Sequence, residues 1–351
     1  MTRQLKRELC RRCAMLLAAA LLLRAAVRWG PALRERWTAL AATEGYRAFF
    51  YYLNTGQVLR PQTTGGTAAS PAASEPEAEE RELPVLRFRD LPAEEPPQVP
   101  AGSSAPLSFT AEEAAAITIG GNCTLDYDKE ALLLAPLDAP PVTDGPQVLI
   151  VHTHSTEAYT IEPGWEYEET EPCRTLDPDH SVLRLGQEIA AILEDRGIAV
   201  LHDTTINDYP AYTGAYDRMA ATIQAYLDAY PSIRMVLDVH RDAFENADGA
   251  QGGTAEDGRA KVMLVVGTNQ GGLDHPNWQG NLSFALKLEA LLNREYPDLT
   301  RGISLCTQRY NQNLTPLSLL AEFGAAGDTL DEALAAARDF AVSLAELLAA
   351  I

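Results

Sequence analysis

The sequence predicts an α/β fold, a mostly parallel twisted sheet flanked by helices, preceded by an N-terminal membrane anchor and a disordered linker. Three observations support this architecture. Short apolar runs alternate with longer helical patterns through residues 146–351, as strands and helices do in a layered α/β domain. A basic segment precedes an apolar run at the N-terminus. Residues 61–110 are rich in Pro, Ala and Glu and carry almost no helical or strand period.

The composition allows a large buried core and excludes several classes of protein. Of the 351 residues, 46% are apolar and 22% are charged, so global disorder is excluded. The formal charge of −21 repels phosphate groups, which argues against binding to nucleic acid. Five widely spaced cysteines are too few for a disulfide scaffold, and the pair Cys10 and Cys13 lacks the second pair of a zinc ribbon.

Residues 1–35 are predicted to form a cytoplasmic basic segment and a membrane signal-anchor. Lys and Arg side chains precede an apolar run at residues 13–23, and no clear small-residue cleavage site follows it. The pattern favours an uncleaved anchor, with an ordinary amphipathic helix as the alternative. In that topology the protein crosses the cell membrane once, and the rest of the chain lies outside the cytoplasm. Residues 36–60 are rich in aromatic side chains and are interpreted as a juxtamembrane segment.

A change of composition at residue 61 predicts an extended linker over residues 61–110. Residues 111–145 are interpreted as a transitional segment, with a short helix from Ala111 and a turn at residues 120–122. The remaining residues, 146–351, are predicted to fold as one domain.

Predicted strands and helices alternate within this domain. The predicted strands are residues 147–152, 198–203, 234–240, 261–267, 302–308 and 317–324. The predicted helices are residues 181–196, 211–230, 281–296 and 329–350. Gly197 closes the first of these helices, because glycine readily adopts the left-handed conformation of a helix end. The alternation predicts a mostly parallel sheet.

Histidine and carboxylate side chains collect where three of these strands end. Functional sites in such sheets lie just past the carboxyl ends of the strands. The residues in this position are His152, His154 and Glu157 after the first strand, His240, Arg241 and Asp242 at the third, and Glu322 in the last.

Imidazole and carboxylate groups from three strand ends are typical of a catalytic zinc site, which uses three such ligands and leaves a fourth position for water. The short HxHxxE loop at residues 152–157 brings three ligand types within reach of one point. Glu322 follows the run LSLLA, in which four of five residues are apolar, and an unpaired carboxylate there would cost several kcal/mol, so it requires a metal or a cationic partner. The alternative for each histidine of this group is a structural role. For the remaining histidines, His180, His202 and His275, a structural role is the preferred interpretation.

Aromatic and amide side chains of two later loops are candidates for contacts with a polar substrate, or for hydrogen bonds within the loops. They are Trp278, Asn281, Arg309, Tyr310, Asn311 and Gln312.

Together these motifs resemble the stage II sporulation protein P family, a branch of the zinc N-acetylmuramoyl-L-alanine amidases. The matching stretches are VHTHSTEAY (151–159), LGQEIAAILEDRGIAVLHD (185–203), LDVHRDA (237–243), HPNWQGNLSFA (275–285), RYNQNLTP (309–316) and LLAEFG (319–324). They cover residues 145–351 in the family's order. The basic, apolar N-terminus followed by a linker is also similar to that family.

The resemblance implies an amidase or zinc-exopeptidase-like fold and a membrane-anchored hydrolase on the outer side of the septal and engulfing membranes. Its implied reaction cleaves the amide between N-acetylmuramic acid and L-alanine of the peptidoglycan stem peptide during engulfment of the forespore. Endopeptidase activity on peptide cross-links is implied as well. The implied cofactor is Zn²⁺, and the implied protein partners are stage II sporulation proteins D and M.

The resemblance also assigns roles to individual residues. His240 matches a zinc ligand and Glu322 matches the catalytic glutamate. The ligand from the first strand is either His152 or His154, and Glu157 is the expected carboxylate ligand.

Arg241 is expected to orient Glu322 or to stabilise the oxyanion. Two other functions stay open on the sequence. One is a zinc carboxypeptidase or other peptidase built on a similar sheet. The other is a non-catalytic cell-wall-binding module with a vestigial site.

Overall fold

The computed structural model describes residues 107–246 and 249–351. The predicted signal-anchor, the juxtamembrane segment and residues 61–106 of the predicted linker lie outside the described residues. Within the described ranges, no helix is both long and apolar enough to cross a membrane.

Six helices and nine strands occur within the described residues. The helices are α1 (Ala111–Ala116), α2 (Lys129–Leu134), α3 (Val182–Asp195), α4 (Ala215–Ala229), α5 (Trp278–Glu295) and α6 (Leu330–Ala349). The strands are β1 (Ile119–Gly121), β2 (Val148–Val151), β3 (Glu169–Glu171), β4 (Arg174–Thr175), β5 (Val200–His202), β6 (Met235–Asp242), β7 (Val262–Gly267), β8 (Thr300–Cys306) and β9 (Leu317–Ala325).

Local side-chain chemistry determines where the long helices begin and end. α6 begins at a capping box, in which Thr329 and Glu332 each accept a hydrogen bond from the other's backbone N–H. α3 begins where the Ser181 hydroxyl accepts from the N–H of Leu183. It ends before Gly197, whose φ of +79° is the left-handed conformation predicted there. The predicted ends of both helices therefore agree closely with the structure.

Seven strands form one sheet in the order β1-β8-β7-β9-β6-β2-β5. Each neighbouring pair is parallel except β7 and β9, which are antiparallel. The prediction of a mostly parallel sheet flanked by helices is confirmed. β3 and β4 form a separate antiparallel ribbon. Because β2, β6 and β9 are neighbours that run in one direction, their C-terminal ends meet at one edge of the sheet.

The two faces of the sheet are covered differently. On one, the helix-packed face, apolar strand residues join α3, α5 and α6 in a large hydrophobic cluster, to which β9 contributes Leu319 and Phe323. On the other, which we call the site face, α4 packs on β2 and β6 through a smaller cluster. Successive side chains of a strand point to opposite faces, so Leu320 and Glu322 of β9 lie on the site face.

Residues 111–145 belong to this layered domain, whereas the sequence indicated only a transitional segment. The predicted turn at residues 120–122 is largely occupied by the edge strand β1, which pairs in parallel with β8. Gly121 has a φ of +101°, and a Cβ atom there would lie 2.1 Å from the carbonyl oxygen of Leu305, so the pairing requires glycine. Paired glycines are more typical of turns, and for this reason the sequence did not indicate a strand. The short elements α2, β3 and β4 also have no counterpart in the sequence prediction.

Candidate active site

The polar residues predicted at three strand ends meet on the site face, at the edge where β2, β6 and β9 end. His154 and Glu157 lie in the loop after β2, and His240 lies in β6. Glu322 lies in β9, directly opposite His240 in the strand register. The exposed fraction is 7% for His154, 5% for Glu157 and 3% for His240. The structure thus brings four of the predicted site residues together, three of them buried and Glu322 partly buried.

His240 has a carboxylate near each of its ring nitrogens. Its Nδ1 lies 3.4 Å from Oε2 of Glu157, and its Nε2 lies 2.8 Å from Oδ1 of Asp238. The second contact is close in distance but lacks the alignment of a hydrogen bond. Burial alone would lower the pKa of His240, but Asp238 and then Glu157 raise this pKa well above its ordinary value. The surroundings therefore favour positive charge at this position, whether from a proton or from a metal ion.

Glu157 is held as a carboxylate by three neighbours. Its Oε2 accepts a hydrogen bond from the backbone N–H of Arg241 at 3.2 Å, and its Oε1 lies 3.5 Å from Nη2 of Arg174. Burial alone would raise the pKa of Glu157, but the hydrogen bond with His240 and the charges of Arg241 and His240 hold it below its ordinary value. The ionised form is the one that can act as a metal ligand.

His154 packs against two rings and directs one nitrogen toward a buried carboxylate. Its ring stacks on Tyr212 with centroids 4.3 Å apart and meets the ring of His240 edge-on at 5.4 Å. Its Nδ1 lies 3.6 Å from Oδ2 of Asp208, an oxygen that also accepts a 2.6 Å hydrogen bond from Arg174. These contacts keep the imidazole of His154 beside that of His240.

Both ring nitrogens of His152 are engaged, so this residue differs from His154. Nδ1 lies 3.1 Å from the carbonyl oxygen of Val239, which can only accept, so Nδ1 carries the proton. Nε2 then accepts a hydrogen bond from Nε2 of His202 at 2.8 Å. Burial lowers the pKa of both histidines, to about 3 for His202, and keeps the pair neutral. Of the two histidines predicted as alternatives, the structure places His154 in the cluster.

The guanidinium of Arg241 is directed at backbone carbonyls and not at Glu322. Its Nε donates to the carbonyl oxygen of Ala158 and its Nη2 to that of Cys173, both at 2.9 Å. These bonds tie the loop after β2 to β6. The geometry therefore gives no support to the two roles expected for this side chain, and the contribution of Arg241 to the cluster is its backbone N–H bond to Glu157.

Glu322 presents a carboxylate oxygen that the surrounding protein leaves without a partner. Its Oε2 is buried and has no hydrogen-bond partner among the described residues. Burial raises the pKa of Glu322 to about 8, because it outweighs the opposing charge of His240 and because Glu157 and Asp242 add negative charge nearby. A carboxyl group with a pKa near neutrality is suited to accept a proton and then release it.

The cluster fits a zinc ion in its donor chemistry and in one measured spacing. Two imidazoles and a carboxylate are a donor set typical of catalytic zinc sites. Tetrahedral zinc with bonds of about 2.0–2.1 Å places neighbouring ligand atoms roughly 3.3 Å apart. Nδ1 of His240 lies 3.4 Å from Oε2 of Glu157, and the ring of His154 lies beside that of His240, with centroids 5.4 Å apart. Within residues 107–246 and 249–351, no three side chains are close enough to form a complete metal site.

Sequence reasoning missed three charged residues that support the cluster. Asp238 lies behind His240, Asp208 lies behind His154, and Arg174 contacts both Asp208 and Glu157. Asp238 could have been identified from the sequence, because a carboxylate inside an apolar strand is costly to bury unless it has a partner. Asp208 and Arg174 lie in polar segments whose composition carries no comparable signal.

The loop residues considered as substrate contacts make bonds within the protein. The side chain of Gln312 accepts from the N–H of Gly267 and donates to the carbonyl oxygen of Val265. Asn281 donates to the carbonyl oxygen of Gln312. These two side chains are therefore engaged in hydrogen bonds within the protein, to β7 in the case of Gln312 and from helix α5 in the case of Asn281.

Three solved amidases match part of the chain at low identity. N-acetylmuramoyl-L-alanine amidase AmiC2 of Nostoc punctiforme is 13% identical with a TM-score of 0.33, over 59% of this chain and 97% of its own. The CwlD amidase from Clostridioides difficile, solved in complex with the GerS lipoprotein, is 13% identical with a TM-score of 0.33, over 58% and 98%. An N-acetylmuramoyl-L-alanine amidase from Clostridium difficile 630 is 13% identical with a TM-score of 0.36, over 58% and 95%.

A protein from Bacillus subtilis (strain 168) matches at higher identity. Stage II sporulation protein P of that organism is 29% identical over 212 residues, which are 56% of this chain and 50% of the relative. The chain thus matches about half the length of this relative. The sequence model of the family Stage II sporulation protein P (SpoIIP) matches residues 110–345, well over half of the chain. The resemblance carried by the motifs is confirmed, and the chain belongs to the stage II sporulation protein P family.

Proposed function

We propose that this protein is a zinc-dependent peptidoglycan hydrolase that cleaves the amide between N-acetylmuramic acid and L-alanine of the stem peptide during sporulation. The observation that carries the proposal is the convergence of His154, Glu157 and His240 beside Glu322. Membership of a sporulation family supports the biological process. Cleavage of peptide cross-links and a role in engulfment belong to the same proposal.

The ligands proposed for zinc are His154, Glu157 and His240. The chemistry supplied by a bound zinc ion is polarisation of the amide carbonyl and a lowered pKa for the attacking water. Asp208 and Asp238 each lie next to one ring nitrogen of a ligand histidine, which leaves the other nitrogen for the metal.

Glu322 is the proposed carrier of the proton. It accepts a proton from the attacking water and delivers it to the amine nitrogen of alanine as the carbon–nitrogen bond breaks. The position of Glu322 supports this role. It lies directly opposite His240 on the neighbouring strand, and so next to the three proposed ligands.

Mass spectrometry of digested peptidoglycan tests the proposed bond. We expect the purified full-length chain to release peptides with a free N-terminal L-alanine and to leave glycan strands without peptide. Release of single C-terminal residues would identify a carboxypeptidase instead. Binding without any product would identify a cell-wall-binding module, and either result would contradict the proposal.

We also propose that residues 1–35 anchor the protein in the cell membrane with the hydrolase domain outside the cytoplasm. The support is the basic cluster ahead of an apolar run, in a part of the chain that lies outside the described residues. The full-length protein should appear in the membrane fraction and be accessible to protease added to protoplasts. Recovery as a soluble cytoplasmic protein would contradict this topology. Association with stage II sporulation proteins D and M stays a prediction.

A further inference from the structure

Next to Glu322, the site face continues over β7 and β8 without a helix among the described residues. The long helix that contacts β7 and β8 is α5, whose apolar residues join the helix-packed face. α4 covers the site face at β2 and β6. Met263 in β7 and Ser304 and Cys306 in β8 alternate with core residues and are only partly buried. We call this partly exposed part of the sheet, which lies beside the candidate active site, the floor.

Arg301 lies on this floor at the level of Glu322. Met263 in β7 pairs with Glu322 in β9. On the other side of β7, the pairing with β8 shifts at a bulge, which places Arg301 and Gly302 next to Met263. Neighbouring strands are about 4.8 Å apart, so the backbones of Arg301 and Glu322 are separated by roughly 10 Å.

The Arg301 side chain extends from this position back toward the active site. Its Nη2 donates a 2.9 Å hydrogen bond to Oδ2 of Asp242, at the end of β6. Because β7 and β9 lie between β8 and β6, the side chain extends across β7 toward the strand that carries Glu322, and Asp242 meets it from the other side. Its guanidinium therefore lies nearer the reacting groups than the backbone of Arg301 does.

The protein does not use all the hydrogen-bonding capacity of this guanidinium. Arginine carries five N–H donors in a planar fork. Within the described residues, the one side-chain hydrogen bond of Arg301 is that of Nη2 with Asp242; Nε is buried without a partner, and 24% of the side chain is exposed. The side chains of Arg241 and Arg174, by comparison, are directed at carbonyls and carboxylates of the site itself. Arg301 is thus a cation beside the site with capacity for an anionic ligand group.

We infer that Arg301 forms a subsite for the carboxylate of the second residue of the stem peptide. The inference rests on the proposed function and names the substrate group that this part of the site binds. Arginine recognises carboxylates through paired hydrogen bonds. An extended peptide advances about 3.3–3.6 Å per residue, so the residue after alanine can reach a guanidinium that leans toward Glu322. Asp242 holds the side chain in place before substrate binds.

Two matched substrates test the subsite. Both are muramyl peptides. One carries a free carboxylate on the second residue of the peptide, and the other carries a carboxamide at the same position. The unaltered full-length protein should cleave the carboxylate form with a kcat/KM at least about tenfold higher, as expected for a charge-assisted hydrogen bond. Arg301→Gln should bring the ratio of the two kcat/KM values to about one, and Arg301→Lys should retain part of the preference because it keeps the charge without the fork.

The outcomes separate this inference from the proposed function. If the unaltered protein cleaves neither substrate, the proposed amidase function fails. If it cleaves both equally well, or if Arg301→Gln keeps the original ratio, the amidase function stands and the subsite is overturned. Asp242→Asn provides an independent variant, because asparagine keeps an oxygen that can hold Arg301 in place but removes the negative charge that competes with the substrate carboxylate. This change should maintain or increase the preference, and a loss of preference in this variant would also overturn the inference.

Discussion

The central strands β6 and β9 place apolar side chains on one face of the sheet and polar, ionisable side chains on the other. In β9, Leu319 and Phe323 are buried among apolar side chains of the helix-packed face, whereas Glu322 faces the candidate active site. β6 alternates in the same way, with Asp238 and His240 on the site face. A single residue step along either strand thus separates the hydrophobic core from the reacting groups.

Burial has different consequences on the two faces. Apolar burial stabilises the fold by about 25 cal/mol per Å² of surface removed from water. Burial of a polar group costs free energy unless the group finds a partner. Oε2 of Glu322 and Nδ1 of His154 lack hydrogen-bond partners among the described residues, so the site face retains such a cost. Substitutions on the helix-packed face should therefore change stability, and those on the site face should change metal binding or turnover.

Glu322→Gln should give the largest effect, and it should act on turnover alone. Glutamine preserves the shape of the side chain but cannot accept a proton from water, so kcat should fall about 10²–10⁴-fold. The zinc content should stay near that of the unaltered protein, because Glu322 is not one of the proposed ligands. Metal analysis and amidase rates measured on the same preparations check both expectations.

His240→Ala is the matched control for that experiment. It removes a proposed ligand, so zinc content and activity should fall together. If Glu322→Gln loses zinc as readily as His240→Ala, then Glu322 is a ligand and the assignment of the base is wrong. If Glu322→Gln keeps near-normal activity, the base lies elsewhere, and Glu157 is the first candidate.

Leu319→Ala tests the opposite face of the same strand. Leu319 is 1% exposed, and loss of a buried leucine side chain typically costs about 2–5 kcal/mol of stability. The free energy of unfolding, measured by denaturant titration, should fall by that amount. Zinc content and turnover should be unchanged at a temperature where the variant is folded. A large loss of turnover under those conditions would show that the two faces are not separable.

The helix-packed face is the part of the fold that apolar periodicity predicts best. Long helices such as α3 and α6 and central strands such as β6 and β9 bury regular apolar patterns, so the sequence indicates them directly. The edge strand β1 has no such pattern, because its pairing depends on Gly121 and on the distant carbonyl oxygen of Leu305. Its existence follows from tertiary contact and not from local sequence.

The candidate site was predictable where its residues lie in or just after apolar strands, as His154, His240 and Glu322 do. The different surroundings of His152 and His154 could not be predicted, because they depend on His202, which lies 50 residues beyond His152 in the chain. The role of the Arg241 side chain likewise depends on contacts with another loop. Such roles are determined by which segments meet in the folded chain, and spacing within a motif does not contain that information.

His152→Ala distinguishes a structural histidine from a metal ligand. The change removes the hydrogen bonds of His152 with His202 and with the carbonyl oxygen of Val239 and opens a cavity, so the free energy of unfolding should fall by about 2–4 kcal/mol. The folded variant should still bind zinc. His154→Ala should show the converse, with lost zinc and a smaller change in stability. Loss of zinc from folded His152→Ala would instead identify His152 as the ligand.

Gly186→Ala should give the smallest effect, a change in melting temperature. The direction of this change tests whether the hydrogen-bonded pair of His152 and His202 is rigid. Gly186 lies inside α3, where alanine normally adds about 1 kcal/mol of stability. A Cβ atom there would, however, lie 2.5 Å from Nε2 of each of the two histidines, and overpacking typically costs about 1–3 kcal/mol.

His152 is buried, His202 is partly buried, and the two rings are bonded to each other, so neither can move away without breaking their hydrogen bond. We therefore expect the overpacking cost to prevail and the melting temperature to fall. Gly120→Ala is the control, because a Cβ atom there would meet nothing within 4 Å. Its melting temperature should be unchanged or slightly higher. A higher melting temperature for Gly186→Ala would show that the histidine pair can shift, and the neutral, fixed pair described for His152 would then be wrong.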